Sequence, residues 1–176
     1  AMIWSATFLV EARGFSEGLA AVSAGVLFWG MTAGRLFSGF ISDRLGDRKM
    51  LAIGETASLI AILLIAFIPG RLSVAALFLL GFGFGPIYPS MIHQTPEYFG
   101  VERSSEIMGL EMASAYVGSM FMPPVFGLIG RRISMDIFPL FALFFLILHT
   151  VAIIIKRRAL EKDQRTASLT EGIREE

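Results

Sequence analysis

The sequence predicts an all-α bundle of membrane-crossing helices, on three observations. Of its 176 residues 55% are hydrophobic, while Asp, Glu, Lys and Arg together make up only 17%; a soluble domain of this size needs a larger charged surface. Those charges gather in a few short clusters. Between the clusters lie uncharged stretches close to the roughly 20 residues that a helix needs to cross about 30 Å of hydrocarbon.

The first stretch, from Ala1 to about Val10, is a partial span that ends at the charged turn EARGFSEG. A second runs from about Leu19 to Ser42, and a third from Met50 to Ile68. The link that follows is only PGRLS, which joins antiparallel neighbours through a tight turn. The fourth span covers about Val74 to Thr95, the fifth about Glu106 to Gly130 and the sixth about Ile137 to Ile155. Residues 1–155 therefore read as the transmembrane bundle, and 156–176 as a polar tail that is solvated and partly disordered. The chain opens inside an apolar run with no signal-peptide pattern, so it reads as a fragment that lacks its N-terminal portion.

Composition excludes several classes of function. Net charge is zero, which gives no basic surface for nucleic acid. Cysteine is absent, which removes disulfides and thiol chemistry. The two histidines are far apart in sequence, so no metal-ligand spacing appears. The glycine-rich run around Gly83 has neither the lysine nor the strand-to-helix context of a phosphate-binding loop. No cofactor is implied, and nothing points to an enzyme.

Lysine and arginine set the orientation. Arg44, Arg48, Lys49, Arg103, Lys156, Arg157 and Arg158 fall on one side of the spans, and Arg13, Arg71, Arg131 and Arg132 on the other. The positive-inside rule then places the C-terminal tail in the cytoplasm. A faint repeat runs alongside: the second span ends SGFISDR and the fifth FGLIGRR, with Gly39 and Gly127 in matching places. Two three-span units would put those ends on opposite faces, as inverted repeats require.

The sharpest motif is GFISDRLGDRK, between the second and third spans. Gly39 offers a site of close helix approach, and Asp43 can meet the positive N-terminal end of another helix. Gly46 permits a tight turn, while Arg44, Arg48 and Lys49 suit an anionic cytoplasmic leaflet. This segment resembles the loop signature of the major facilitator superfamily, G-x3-D-[RK]-x-G-x-[RK]-[RK], at every specified position. The resemblance implies the C-terminal half of that fold, helices seven to twelve with the first truncated. Its partner would be the N-terminal half of the same protein.

Three stretches look like the fucose-permease-like branch of that family: WSATFL from Trp4, GFGFGPIYPSMIHQTPEYFG from Gly81, and MGLEMASAYVGSMFMPP from Met108. The branch implies a secondary transporter in the plasma or bacterial inner membrane that moves a sugar together with H+. Two other readings stand beside it: a proton-driven efflux antiporter for drugs or metabolites, and a sensor or scaffold that binds a solute without moving it.

Ionisable groups inside spans need partners or functions. Arg35 and Glu55 lie at matching depths in antiparallel spans, which predicts that they interact, as a structural pair or in proton coupling or gating. Glu111 in the fifth span is expected either to belong to a cytoplasmic gate or to bond a neighbouring helix, and Glu106 to sit in that helix's first turn. Gly30 and Gly34, and Gly81 and Gly85, form small-residue faces for close packing; Pro86, Pro89, Pro123 and Pro124 bend their helices. Trp4, Trp29, Tyr88 and Tyr116 are the candidates for stacking against a sugar, with lipid-facing or packing roles as the alternative. His93 and Gln94 read as helix-end or gate residues, and His149 as peripheral.

Overall fold

A computed structural model describes residues 2–68, 70 and 72–174, with side chains from Trp4 to Ala159 apart from Pro69 and Arg71. Pro69 and Arg71 of the expected PGRLS turn thus lie outside the described residues. Six helices follow one another: α1 (Met2–Glu11), α2 (Glu17–Leu45), α3 (Asp47–Phe67), α4 (Leu72–Phe99), α5 (Val101–Arg132) and α6 (Phe138–Arg174). A single 3-10 turn, Met135–Ile137, precedes α6, and no strand occurs among the described residues. The all-α fold class expected from the sequence is the one observed. Five of the helices are long and apolar enough to cross a membrane.

The helices outrun the apolar stretches that announce them. Helix α5 begins at Val101, so its first-turn acid is Glu102 and not Glu106. The largest departure is at the C-terminus, where α6 continues from Ile155 to Arg174 instead of giving way to a disordered tail. No glycine or proline falls between Lys156 and Glu171. Ala159, Leu160, Glu161 and Lys162 are all strong helix formers, so polarity there does not stop the helix. Nor do the internal prolines: α4 runs through Pro86, Pro89 and Pro96, and α5 through Pro123 and Pro124.

Helix α4 is the axis of the bundle, and glycines place it there. A Cβ on Gly30 or Gly34 of α2 would collide with the carbonyl oxygen of Phe78 or Phe82 on α4, and one on Gly81 with that of Leu27 on α2. Gly85 completes the seam beside Gly34 and Arg35. The two small-residue faces expected from the sequence therefore pack against each other. Gly83 points the other way, where a Cβ would lie 2.7 Å from the Gly54 carbonyl oxygen of α3. Consequently α4 stands between α2 and α3.

Aromatic packing closes one end of the bundle. Phe8 of α1 stacks on Phe138 of α6 at 5.0 Å, and Phe126 of α5 meets Phe138 edge-on at 5.9 Å. Arg13 lies over the Phe8 ring and donates to the Ile65 and Ala66 carbonyls at the end of α3. Those are among the last carbonyls of a helix, which lack intrahelical donors. Helix α5 is otherwise loosely held: Ser104, Phe126, Gly127 and Gly130 are its only buried residues.

Candidate functional site

Two clusters of interacting polar side chains lie away from the Arg13 end of the bundle, one at the end that carries the Gly39–Lys49 motif and one deeper among α3, α4 and α6. At the motif end, Gly46 adopts φ +77°, so it terminates α2 and starts α3 in a single residue. A side chain there would sit in the left-handed region that only glycine enters freely. Asp47 of the first turn of α3 lies 3.7 Å from His93 Nδ1 on α4. Arg48 reaches over the Tyr98 ring at 5.8 Å. Asp43, Arg44 and Lys49 are exposed.

Contrary to expectation, Gly39 makes no close approach to another helix among the described residues: no atom of one lies within 4 Å of where its Cβ would be.

Beneath the motif, α4 carries a ladder of hydrogen bonds. Gln94 is buried; its amide donates to the Ser90 carbonyl, and its own carbonyl accepts from the Tyr98 hydroxyl at 2.9 Å. Next to it the buried Thr95 hydroxyl donates to Glu111 Oε2 of α5 at 3.0 Å. Lys156 of α6 stands 4.0 Å from Glu111 Oε1 and 5.0 Å from the Tyr98 ring centre. Glu111 therefore has partners on two neighbouring helices, α4 and α6.

The expected Arg35–Glu55 pair does not form. Matching depth fixes position along a helix axis but not rotation around it. Arg35 follows Gly34 on the face that α2 turns toward α4, and its side chain is exposed; α4 separates it from α3. Glu55 instead meets α6: His149 Nδ1 lies 3.0 Å from Glu55 Oε1, and the Thr150 hydroxyl donates to the same oxygen at 3.2 Å. His149 Nε2 faces Met91 Sδ of α4 at 3.2 Å. So His149 is not peripheral. The side chains of His149 and Glu55 are 27% and 19% exposed, whereas Asp43, Arg44, Arg48 and Lys49 at the motif end are all exposed. The sequence marks Glu55 as a charge inside a span but not His149 as its partner, because the last span is apolar all round and its rotation cannot be read.

Two cavities flank the pair. One of about 400 Å³ lies among α4, α5 and α6, lined by Phe84, Met122, Phe141 and Phe145, with His149 as its polar group. The other, about 330 Å³, opens between α3 and α6 and is lined by Glu55, Thr56 and Thr150. Among the described residues no cluster of His, Cys, Asp and Glu could hold a metal.

The four aromatic candidates divide. Trp4 donates its indole N–H to the Pro123 carbonyl at 3.0 Å and packs its ring on Gly127, so it joins α1 to α5. Trp29 and Tyr116 are 73% and 75% exposed, on faces of α2 and α5 left open among the described residues. Tyr88 on α4 is 38% exposed.

The profile of the Major Facilitator Superfamily matches residues 1–175, essentially the whole chain. The chain belongs to the major facilitator superfamily. An uncharacterised MFS-type transporter of Yersinia pestis is 30% identical over 156 residues, which are 85% of this chain. They are 38% of that relative, so the chain spans well under half its length. No solved structure gives a significant match. Membership makes this superfamily chain a multi-pass membrane protein, as its apolar helices require, in a family of transporters.

Proposed function

We propose that this superfamily chain is one six-helix half of a secondary transporter that moves a small solute by alternating access. One observation of the bundle carries the reading. Its two sides differ: α4 is sealed by α2 and α3, whereas α5 leaves Leu110, Tyr116, Val117, Met120 and Phe121 exposed, and α2 leaves Trp29, Leu36 and Phe40. A second bundle packed there would enclose a path between two rigid bodies, with Trp29, Tyr88 and Tyr116 near it. The matched helices would then be seven to twelve of the fold, and the relative's greater length leaves room for the other six.

The finer reading is symport of a sugar with H+. Its support is the resemblance of the stretches at Trp4, Gly81 and Met108 to the fucose-permease-like branch, together with aromatic rings that can stack on a sugar's apolar face. The excess of basic residues at the motif end supports a cytoplasmic motif and tail, in a plasma or bacterial inner membrane. In this arrangement Asp43, Arg44, Arg48 and Lys49 form the cytoplasmic hinge against the other half, with Gly46 as its turn.

Full-length protein in proteoliposomes tests the proposal with an imposed inward proton gradient and a panel of labelled hexoses. Accumulation of one hexose that a protonophore abolishes is the expected result. Failure to move any hexose removes the sugar reading, and failure to move any small solute in either direction removes the transporter reading. The 176-residue chain by itself is expected to transport nothing, which the same assay checks.

A further inference from the structure

We propose that Glu55 and His149 form a proton-binding site within the membrane, loaded when α6 is docked on α3 and α4. This deepens the proposed function by naming where a coupling proton could sit in this half, and it rests on that reading only for the word coupling.

The inference comes from which atoms face the imidazole. Nδ1 faces a carboxylate oxygen and Nε2 faces a thioether sulfur, and both of those are acceptors. A neutral imidazole carries one N–H. With Glu55 ionised, one ring nitrogen would then point a lone pair at another lone pair. Both contacts become hydrogen bonds only when the pair holds one more proton, as imidazolium with carboxylate or as neutral ring with carboxylic acid. The Thr150 hydroxyl has one proton and two acceptors within reach, the Leu146 carbonyl at 3.0 Å and the same Glu55 oxygen at 3.2 Å.

Among the described residues no other group lies in contact with the pair to share the charge. From α3 the titratable contact is Glu55, and from α4 the contact is Met91, which does not titrate. On α6 itself Thr150 is adjacent, and the next cation, Lys156, is seven residues on, about 10 Å along the axis. Lys156 is engaged with Tyr98 and with Glu111, the acid of α5, which also accepts from Thr95. His93 of α4 faces Asp47.

Access also suits the proposal. His149 borders the cavity among α4, α5 and α6, while Glu55 borders the one between α3 and α6. A proton could thus arrive from one cavity and leave to the other across the 3.0 Å contact. Loss of that proton removes a hydrogen bond from one side of the ring, which loosens α6 from α3 or α4.

The test needs no solute. The chain contains no cysteine, so labels can be introduced at exposed positions of α3 and α6, A52C and A159C, in full-length protein cleared of any other accessible cysteine. Spin-label distances in nanodiscs are compared between low and high pH. The expected result is a short distance at low pH that lengthens at high pH, with the change lost in H149Q. Proton uptake over the same jump should fall by about one per molecule in H149Q. A wild-type distance that ignores pH overturns the proposal without any variant of the site. So does a pH-dependent change that survives H149Q, or unchanged proton uptake. If the distance responds as stated but no solute is moved, the transporter reading fails and the proton site stands; transport with a pH-blind distance is the reverse.

Discussion

Helix α4 meets its neighbours through two kinds of seam. Against α2 and α3 the contact is backbone on backbone, made by Gly30, Gly34 and Gly54 on one side and Gly81, Gly83 and Gly85 on the other. Against α5 and α6 it is made by a few polar side chains, with cavities between them: Thr95 to Glu111, Met91 to His149, and Lys156 over Tyr98. Where the glycines meet there is nothing to ionise and no space to yield; the charged contacts between α3 and α4, Asp47 with His93 and Arg48 over Tyr98, lie at the motif end. The second kind depends on groups that gain or lose a charge. Within one bundle, then, α2, α3 and α4 form a fixed block, and α5 and α6 are attached to it by contacts that can be exchanged.

Substitutions can break this contrast, and the largest effect is expected in the glycine seam. A methyl group at Gly81 must push against the Leu27 carbonyl, which is backbone and cannot turn aside. G81A should therefore lose about 3 kcal/mol, the upper part of the range for overpacking, and G30A a similar amount. Thermal unfolding of the purified protein would show both, and a pair of wild-type melting curves would dismiss the seam. Single changes in the polar seam should cost less. E55Q removes the charge of the group that His149 and Thr150 both meet, leaving a neutral amide, and should lose about 1–2 kcal/mol by the same measurement.

Smaller effects sharpen the comparison. K156M removes a cation from over two rings and beside Glu111, and about 1 kcal/mol is expected from so partly exposed a contact. W4F keeps the ring near Gly127 but loses the bond to the Pro123 carbonyl, again about 1 kcal/mol. At Gly118 nothing lies within 4 Å of a new methyl group, so G118A should leave the melting temperature unchanged or raise it slightly. Should G118A spare stability but abolish transport by the full-length protein, the bare face of α5 is where the other half sits.

Much of this architecture is legible in the sequence, and the part that is not has a common cause. Span number and the tight turn at Gly46 follow from hydropathy and from breakers. That Gly30 with Gly34 and Gly81 with Gly85 each form a packing face follows because small residues four apart mark a face, but that these two faces meet each other is seen only in the structure. What fails is rotation where no such mark exists. Arg35 and Glu55 share a depth, yet α4 intervenes between their helices. His149 lies in a stretch without polar periodicity, so its turn toward Glu55 has no sequence signature. Polarity also misleads past Ile155, where solvated residues with strong helix propensity extend α6.

The contrast between the two seams is tested most directly by measuring both in one full-length protein. A label pair across α2 and α4 at exposed positions, V22C with L72C, reports the glycine seam, and A52C with A159C reports the contact of α3 with α6. Between low and high pH the first distance is predicted to stay fixed while the second lengthens. A change in the α2–α4 distance as large as that between α3 and α6 would contradict the division of the bundle into a fixed block and an exchangeable layer.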